Sequence, residues 1–253
     1  MVFEVIGSGL LARAIASAAE TGPGAIICAS GVPDSQCTDE SAFRRERALL
    51  HDLTGRARAR DAVLVYFSGA PVYGRVSGLR VETSDATPET PYGRHKLECE
   101  NLVADSWARH LVLRLPNVVG PGGNPQQLVP SLVAQTLNGS VVIKTDATRD
   151  LLDVEDLVSI VAALLRRGIH NTILNVASGV STSVPRLAEV IAETLGISPL
   201  VLSTAGGDNQ EFSTAKVRAL LPEYPPFEPD YPVNILGRRV PAIARALRDW
   251  ATR

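Results

Sequence analysis

Apolar positions along the chain follow two alternating rhythms. Short continuous runs have the length and texture of strands buried on both faces: Met1–Gly7 with Val2, Phe3, Val5 and Ile6, then Ala25–Ala29, Ala62–Phe67 after Asp61, and His110–Leu115. Between them lie stretches with helical spacing. Ser8–Glu20 carries Leu10, Leu11, Ala14, Ile15 and Ala18, and Thr21-Gly22-Pro23-Gly24 ends it. Ser41–Arg58 sets Phe43, Leu49, Leu50 and Leu53 among charges, which predicts an exposed amphipathic helix. Tyr92–Trp107 turns Leu97, Leu102 and Val103 to one side. Strands alternating with helices of this length predict an α/β fold, a parallel sheet covered by helices on both faces.

After Pro116 the texture changes. Pro121 to Pro125 form a long turn, and helices are expected around Leu128–Leu137, over Asp153–Arg166, and over Ser183–Leu195 with Ser181 or Ser183 as cap. The prolines from Pro222 to Pro232 predict an extended surface segment, and Pro241–Trp250 a final short helix. The expected division is a larger sheet lobe over residues 1–120 and a smaller α/β lobe over 121–253, integrated into one domain.

Of the 253 residues, 45% are apolar and 21% charged, enough to bury a sizeable core. The net charge of -2 gives no electrostatic case for nucleic acid or an anionic membrane. Cys28, Cys37 and Cys99 form no C-x-x-C pair, and His51, His95, His110 and His170 lack metal-ligand spacing, so neither a disulfide framework nor a metal site is expected. With a strand predicted at its start, the chain is expected to have no signal peptide, and the longest apolar stretch, Leu157–Leu165, is far too short to span a bilayer. A cytoplasmic location is the expectation.

Gly7-Ser8-Gly9-Leu10-Leu11-Ala12 fits G-x-G-x-x-A between the first strand and the first helix. Gly7 permits the tight turn, Gly9 lets a pyrophosphate approach the backbone, and Ala12 lets helix and strand pack closely. The helix start then offers unpaired N–H groups and the positive end of its dipole. Ala29 and Ser30, at the end of the second run, are expected to border the same cofactor. No carboxylate stands in Ile26–Gly31 to bind a ribose 2′-hydroxyl, which points to a phosphorylated ribose, with Arg13 or Arg44 and Arg45 as partners. A charged, exposed helix face is the alternative account of those arginines.

Tyr92 and Lys96 are four apart on a predicted helix and project from one face. A neighbouring ammonium favours the phenolate and brings proton transfer towards neutral pH, as reduction of a carbonyl beside a nicotinamide requires. The alternative is a packed tyrosine beside a solvated lysine.

With these features in order, the sequence resembles the extended short-chain dehydrogenases/reductases of the NAD-dependent epimerase/dehydratase type, which modify nucleotide sugars. Val72-Tyr73-Gly74 is similar to that family's V-Y-G segment, and Arg114 to Pro121 to its R-x-x-N-v-x-G-P. Arg149 to Asp156 resembles its R-D-f-i-x-V-x-D, and Asn175 to Gly179 its N-i-x-x-G. The resemblance implies a Rossmann-like dinucleotide-binding lobe over 1–120 and a substrate-binding lobe over 121–253. It makes Tyr92 the acid/base, Lys96 the ligand of the nicotinamide ribose, and the backbone around Pro116 to Val118 the holder of the carboxamide. Asn117 and Arg149 would meet a substrate diphosphate; for Arg149 a local ion pair is the alternative. Helices like Tyr92–Trp107 often pair family members into dimers.

Two departures stand out. Where the family places Ser or Thr three residues before the V of V-Y-G, this chain has Gly69, leaving adjacent Ser68 as a substitute. Ala25–Gly31 followed by the Phe43 helix resembles the family's fourth strand and its helix, so the second and third strands look deleted. Ala70-Pro71 stands where the dehydratases carry Asp-Glu, which disfavours dehydration. The expected activity is reduction of a nucleotide-activated 4-keto-6-deoxysugar with NADP(H) favoured over NAD(H). A ketoreductase acting on a polyketide or aromatic ketone, an epimerase, and a non-catalytic cofactor binder are the alternatives.

Overall fold

In the structure, a computed structural model describing residues 3–17, 24–75, 78–224 and 226–251, the chain opens with β1 (Glu4–Ile6), α1 (Leu10–Ser17), β2 (Ala25–Cys28), α2 (Glu40–Ala59) and β3 (Val63–Gly69). A 3₁₀ turn (Ala70–Tyr73), β4 (Leu79–Arg80), α3 (Pro91–Ala104), β5 (His110–Leu115), β6 (Asn117–Val119) and α4 (Leu128–Leu137) follow. Then come β7 (Ser140–Lys144), β8 (Thr148–Asp153), α5 (Val154–Arg166), β9 (Thr172–Asn175), β10 (Ser181–Ser183) and α6 (Val184–Leu195). The chain closes with β11 (Leu200–Thr204), β12 (Glu211–Phe212), α7 (Ala215–Leu220) and α8 (Tyr231–Ala251). The expectations for Met1, Val2, 18–23 and Pro225 lie outside the described residues.

The main sheet runs β1-β2-β3-β5-β9, every pair parallel. Its strands are apolar on both faces because both are covered. Ala25, Ile27, Val63, Val65, Phe67, Leu111 and Leu113 meet Ile15 of α1 and Leu157, Ile160 and Leu164 of α5 on one face. Ile26, Cys28, Leu64, Tyr66 and Val112 meet Leu50, Leu53 and Ala57 of α2 and Cys99 and Val103 of α3 on the other. This is the Rossmann-like α/β architecture read from the alternation.

The strand order also bears out the deletion. A doubly wound sheet reverses direction beside its first strand, and the nucleotide sits at that switch point. Here β1 is an edge strand and the order never reverses. The steps β1→β2 and β2→β3 go the same way across the sheet, yet α1 and α2 lie on opposite faces. Two such crossovers have opposite hands, although βαβ units are right-handed in about 98% of cases. Two strands removed from the far side of β1 account for this: α1 keeps its face while the chain after it steps inward.

The second lobe packs α4, α6 and α8 around Val129, Val133, Leu187, Ile191, Ile235, Leu236 and Val240, with Val141 of β7 and Leu151 of β8. Its strands form small sheets, β10-β8-β6 and β11-β7. After β6 ends at Val119 the chain returns α5 and β9 to the main sheet, so residues on both sides of position 120 build that sheet. The final helix starts at Tyr231, not Pro241, and Pro241 lies inside it. Pro232 sits in its first turn, where an amide N–H has no helical partner to lose. The Ile235–Val240 contacts outweigh the bond missing at Pro241. The helix expected to reach Trp107 ends at Ala104, and Trp107 is exposed with φ 59°.

Candidate active site

At the carboxyl end of β1 the glycine turn has the geometry its spacing predicts. Gly7 has φ +133°, and an added Cβ would lie 2.4 Å from the Ala29 carbonyl oxygen, so β1 and the end of β2 close on each other only with glycine there. At Gly9 an added Cβ would meet nothing within 4 Å, which leaves the backbone open to a ligand. The first helical bond of α1 runs from Arg13 N to Gly9 O, so the preceding amides keep their donors. No acidic side chain occupies that first turn. These features fit a pyrophosphate, and Gly7, Ser8, Gly9, Leu10 and Leu11 are the residues that could hold it. Among the described residues no strand lies on the far side of β1, where an adenosine wall would stand.

Helix α3 is set by Thr90, whose hydroxyl accepts from Gly93 N, and by Gly93 itself, where a Cβ would come within 2.5 Å of the Pro71 carbonyl. That contact holds the start of α3 against the turn that follows β3. Tyr92 is partly buried, and the Lys96 ammonium lies 5.7 Å from its ring centroid. Lys96 is not solvated. It is 4% exposed, and Nζ donates to Glu46 Oε1 (2.8 Å), the Tyr66 hydroxyl (3.2 Å) and the Phe67 carbonyl (3.4 Å). An ammonium has three donors. All three are spent on protein, so the ribose contact implied by the resemblance requires one of them to be given up.

The expected lowering of the tyrosine is also corrected. Burial pushes Tyr92 above an ordinary tyrosine; Lys96 pulls it down, and Glu46, Asp34 and Cys99 push it up again. Burial would lower the Lys96 ammonium, but Tyr92 and Glu46 outweigh it and hold it above the usual lysine range. For Glu46, burial is outweighed by His95, Lys96 and the Val32 amide, which keep its carboxyl well below the usual range.

Ser68 is 5% exposed and its Oγ has no hydrogen-bond partner among the described residues. Strand alternation sends it to the face of Leu64 and Tyr66, under α3, beside its register partner Arg114. The hydroxyl is thus a core group, and the strand end itself is Gly69. An added Cβ at Gly69 would find only ordinary contacts, at 3.5 Å.

Pro116, Asn117 and Val118 are partly buried where β5 passes into β6. A Cβ at Gly120 would strike Leu10 and Val154 at 2.8 Å, which puts the end of β6 against the start of α1. Arg13 spends its guanidinium on the carbonyls of Ser8 and Gly122, both at 2.7 Å, and so ties the glycine turn to that loop. Arg44 and Arg45 are exposed on α2. Ala29 is partly buried and Ser30 exposed. Asn117 Nδ2 donates to the Asp150 carbonyl at 3.3 Å. Arg149 pairs with Asp208 (Nη2 to Oδ1, 2.9 Å), not with the adjacent Asp150. Asp150 is fully buried, its oxygens accept from Ser178 N, Ser178 Oγ and Gly179 N, and burial pushes it up to about 7.

Sequence reasoning missed Glu46. Its signal is its register: Phe43, Glu46, Leu50, Leu53 and Ala57 make one buried stripe of α2, with a carboxylate among the hydrophobes. Glu46, His95 and Cys99 bring three metal-ligating atoms within 4.8 Å of one another. Glu46 already accepts four bonds, from Lys96 and Tyr66 on Oε1 and from Val32 N and His95 on Oε2, so its lone pairs are spent.

Among the described residues no helix is long and apolar enough to cross a membrane. The chain is 30% identical over 154 residues to GDP-6-deoxy-D-mannose reductase of Pseudomonas aeruginosa, covering 54% of this chain and 50% of that protein. It is 30% identical over 193 residues to UDP-glucose 4-epimerase of Azospirillum brasilense, covering 65% and 56%. The chain thus spans about half the length of the curated relatives it matches. Its fold matches the structure of RMD from Pseudomonas aeruginosa complexed with NADPH, with TM-score 0.79 at 21% identity over 96% of this chain and 97% of that one. It also matches MoeE5 in complex with UDP-glucose and NAD, with TM-score 0.76 at 22% identity over 88% and 80%. Residues 9–177 match the NAD dependent epimerase/dehydratase family, and the chain belongs to that family.

Proposed function

We propose that the protein is an NAD(P)H-dependent ketoreductase acting on a nucleotide-activated 4-keto-6-deoxysugar, with NADPH the preferred cofactor. The observation that carries this reading is Tyr92 one helical turn from Lys96, at the same end of the sheet as the glycine turn. The β2 loop links them: Ala29 touches Gly7, and an added Cβ at Gly31 would stand 3.0 Å from Lys96 Nζ. A relative named as a GDP-6-deoxy-D-mannose reductase and a similar structure solved with NADPH support the choice of reaction and cofactor.

When bound, the reduced nicotinamide supplies a hydride to the carbonyl carbon, and the ketone becomes a secondary alcohol as its oxygen takes a proton. Tyr92 gives that proton without help from a hydroxyl at position 69. Arg149 and Asn117 receive the diphosphate; at Arg149 one anion, Asp208, is exchanged for another. A non-catalytic cofactor binder is the second reading, favoured by Gly69 and by the spent donors of Lys96.

Mixing the protein with NADPH and a panel of nucleotide keto-sugars, while following nicotinamide absorbance, separates the two. Reduction predicts turnover that Tyr92→Phe lowers by about 10²–10⁴-fold with cofactor affinity unchanged. Cofactor binding without oxidation across the panel would establish the binder.

A further inference from the structure

Glu46 accepts four hydrogen bonds, one of them from the Lys96 that faces Tyr92, and neither the motif nor the reaction requires it. It reaches from α2 to α3, to β3 through the Tyr66 hydroxyl (2.9 Å), and to the loop after β2 through the Val32 amide (2.7 Å). On α3 it takes both Lys96 (2.8 Å) and His95 Nε2 (3.0 Å). His95 in turn stacks on Phe43 of α2 with ring centroids 4.4 Å apart. The carboxylate cannot drift from this site without leaving four donors unmet in a buried place.

The consequence falls on Tyr92. For a phenolate there, the stabilising cation is Lys96, but Lys96 already stands against another anion. The charged and titratable groups that act on the tyrosine are Lys96 and Cys99 on α3, Glu46 on α2 and Asp34 in the loop after β2, while His95 on α3, Tyr66 on β3 and Cys28 on β2 face the Glu46–Lys96 pair. Burial pushes Cys28 to about 11 and Cys99 to about 12, so neither adds charge near neutral pH. Burial holds the Tyr92 phenol up, and of the two buried charges Lys96 pulls it down while Glu46 opposes that pull.

We infer that Glu46 is a positioning residue that keeps Lys96 as its own counter-ion and so leaves Tyr92 a protonated donor, suited to reducing a carbonyl and not to oxidising an alcohol. The directional consequence rests on the ketoreductase reading, whereas the hold on the Tyr92–Lys96 pair does not. A reductive step consumes the phenol's proton, so a tyrosine that stays protonated to higher pH extends the working range of reduction. The reverse step needs a phenolate to accept the alcohol's proton, and the same arrangement opposes it.

The test is a pH titration of 13Cζ-labelled tyrosine by NMR on the full chain, with Tyr92→Phe assigning one of five resonances. Glu46→Gln is expected to lower the Tyr92 midpoint by about 1 pH unit or more, a tenfold change in its ionisation constant, and Glu46→Asp to restore most of it. A group that merely held α2 against α3 would not give a shift of that sign with recovery by the shorter acid. Should Glu46→Gln fail to fold, Lys96→Met is compared with Glu46→Met/Lys96→Met, which replaces the pair by apolar neighbours. The double variant is expected to titrate lower than the single one. Equal midpoints in either comparison overturn the proposal, as does a rise on Glu46→Gln. In turnover assays the alkaline limb of reduction should move down with the Tyr92 midpoint in Glu46→Gln. Failure of the wild-type protein to reduce any ketone strikes the ketoreductase reading and the directional consequence, while the titration separately decides whether Glu46 governs Tyr92.

Discussion

Helix α3 carries two buried acid–base pairs one turn apart, and their construction differs. Glu100 receives Arg114 in a fork: Nε donates to both carboxylate oxygens at 3.0 and 3.2 Å, and Nη2 to Oε2 at 2.7 Å. The guanidinium also stacks 4.6 Å over Tyr73, whose hydroxyl donates to Asn175. Everything that fork touches is framework, so it joins α3 to β5 in one orientation. Lys96 is a point charge whose three rotatable donors go to Glu46, Tyr66 and the Phe67 carbonyl. Those donors can be reassigned without moving the helix. The first pair therefore fixes α3 in place, and the second sets what Tyr92 experiences.

The strongest way to break this comparison is Glu100→Ala, which leaves the Arg114 charge buried and unpaired. A loss of about 3–5 kcal/mol in urea unfolding is expected, with the Tyr92 midpoint unchanged in the folded protein. A shift in that midpoint would show that the two pairs are not separate.

A smaller effect sharpens the other side. The Glu46 carboxyl is held below its unfolded value, so its contribution to stability is complete above the ordinary carboxyl range near pH 4.3 and is lost as pH falls beneath it. Wild-type stability should drop between about pH 5 and 3, with on the order of 2 kcal/mol of that drop absent in Glu46→Gln. Identical acid profiles by chemical denaturation would remove Glu46 as a linked group.

Ser68→Ala is expected to do least. It deletes a buried hydroxyl with no partner among the described residues, so stability should stay within about 1 kcal/mol and kcat should not change. A large loss of kcat would mean that Ser68 reaches the carbonyl and covers for Gly69.

Much of the main sheet was legible because its strands are short, continuous apolar runs between helical stretches. β5 and α4 have the bounds the periodicity predicts. The small strands of the second lobe were not, since β11 is exposed along its whole length and β7 buries only alternate residues. The start of α8 was obscured by Pro232, which the first turn tolerates, and by Pro241, whose local penalty yields to packing against α6. At the site, the glycine turn and the Tyr92–Lys96 spacing could be read directly. Glu46 could not be read as a partner of Lys96, because it lies fifty residues away on another helix.

The sequence alone determined the succession of strands and helices, the turn after β1 and the presence of a phenol and an ammonium on one helical face. Those features follow from periodicity and backbone freedom within a few residues. Only the tertiary structure decided that α1 leads inward, that Arg149 faces Asp208 fifty-nine positions on, and that Lys96 already has its counter-ion. Charges buried between separate elements take their state from whatever the fold brings beside them, and no local pattern specifies that neighbour.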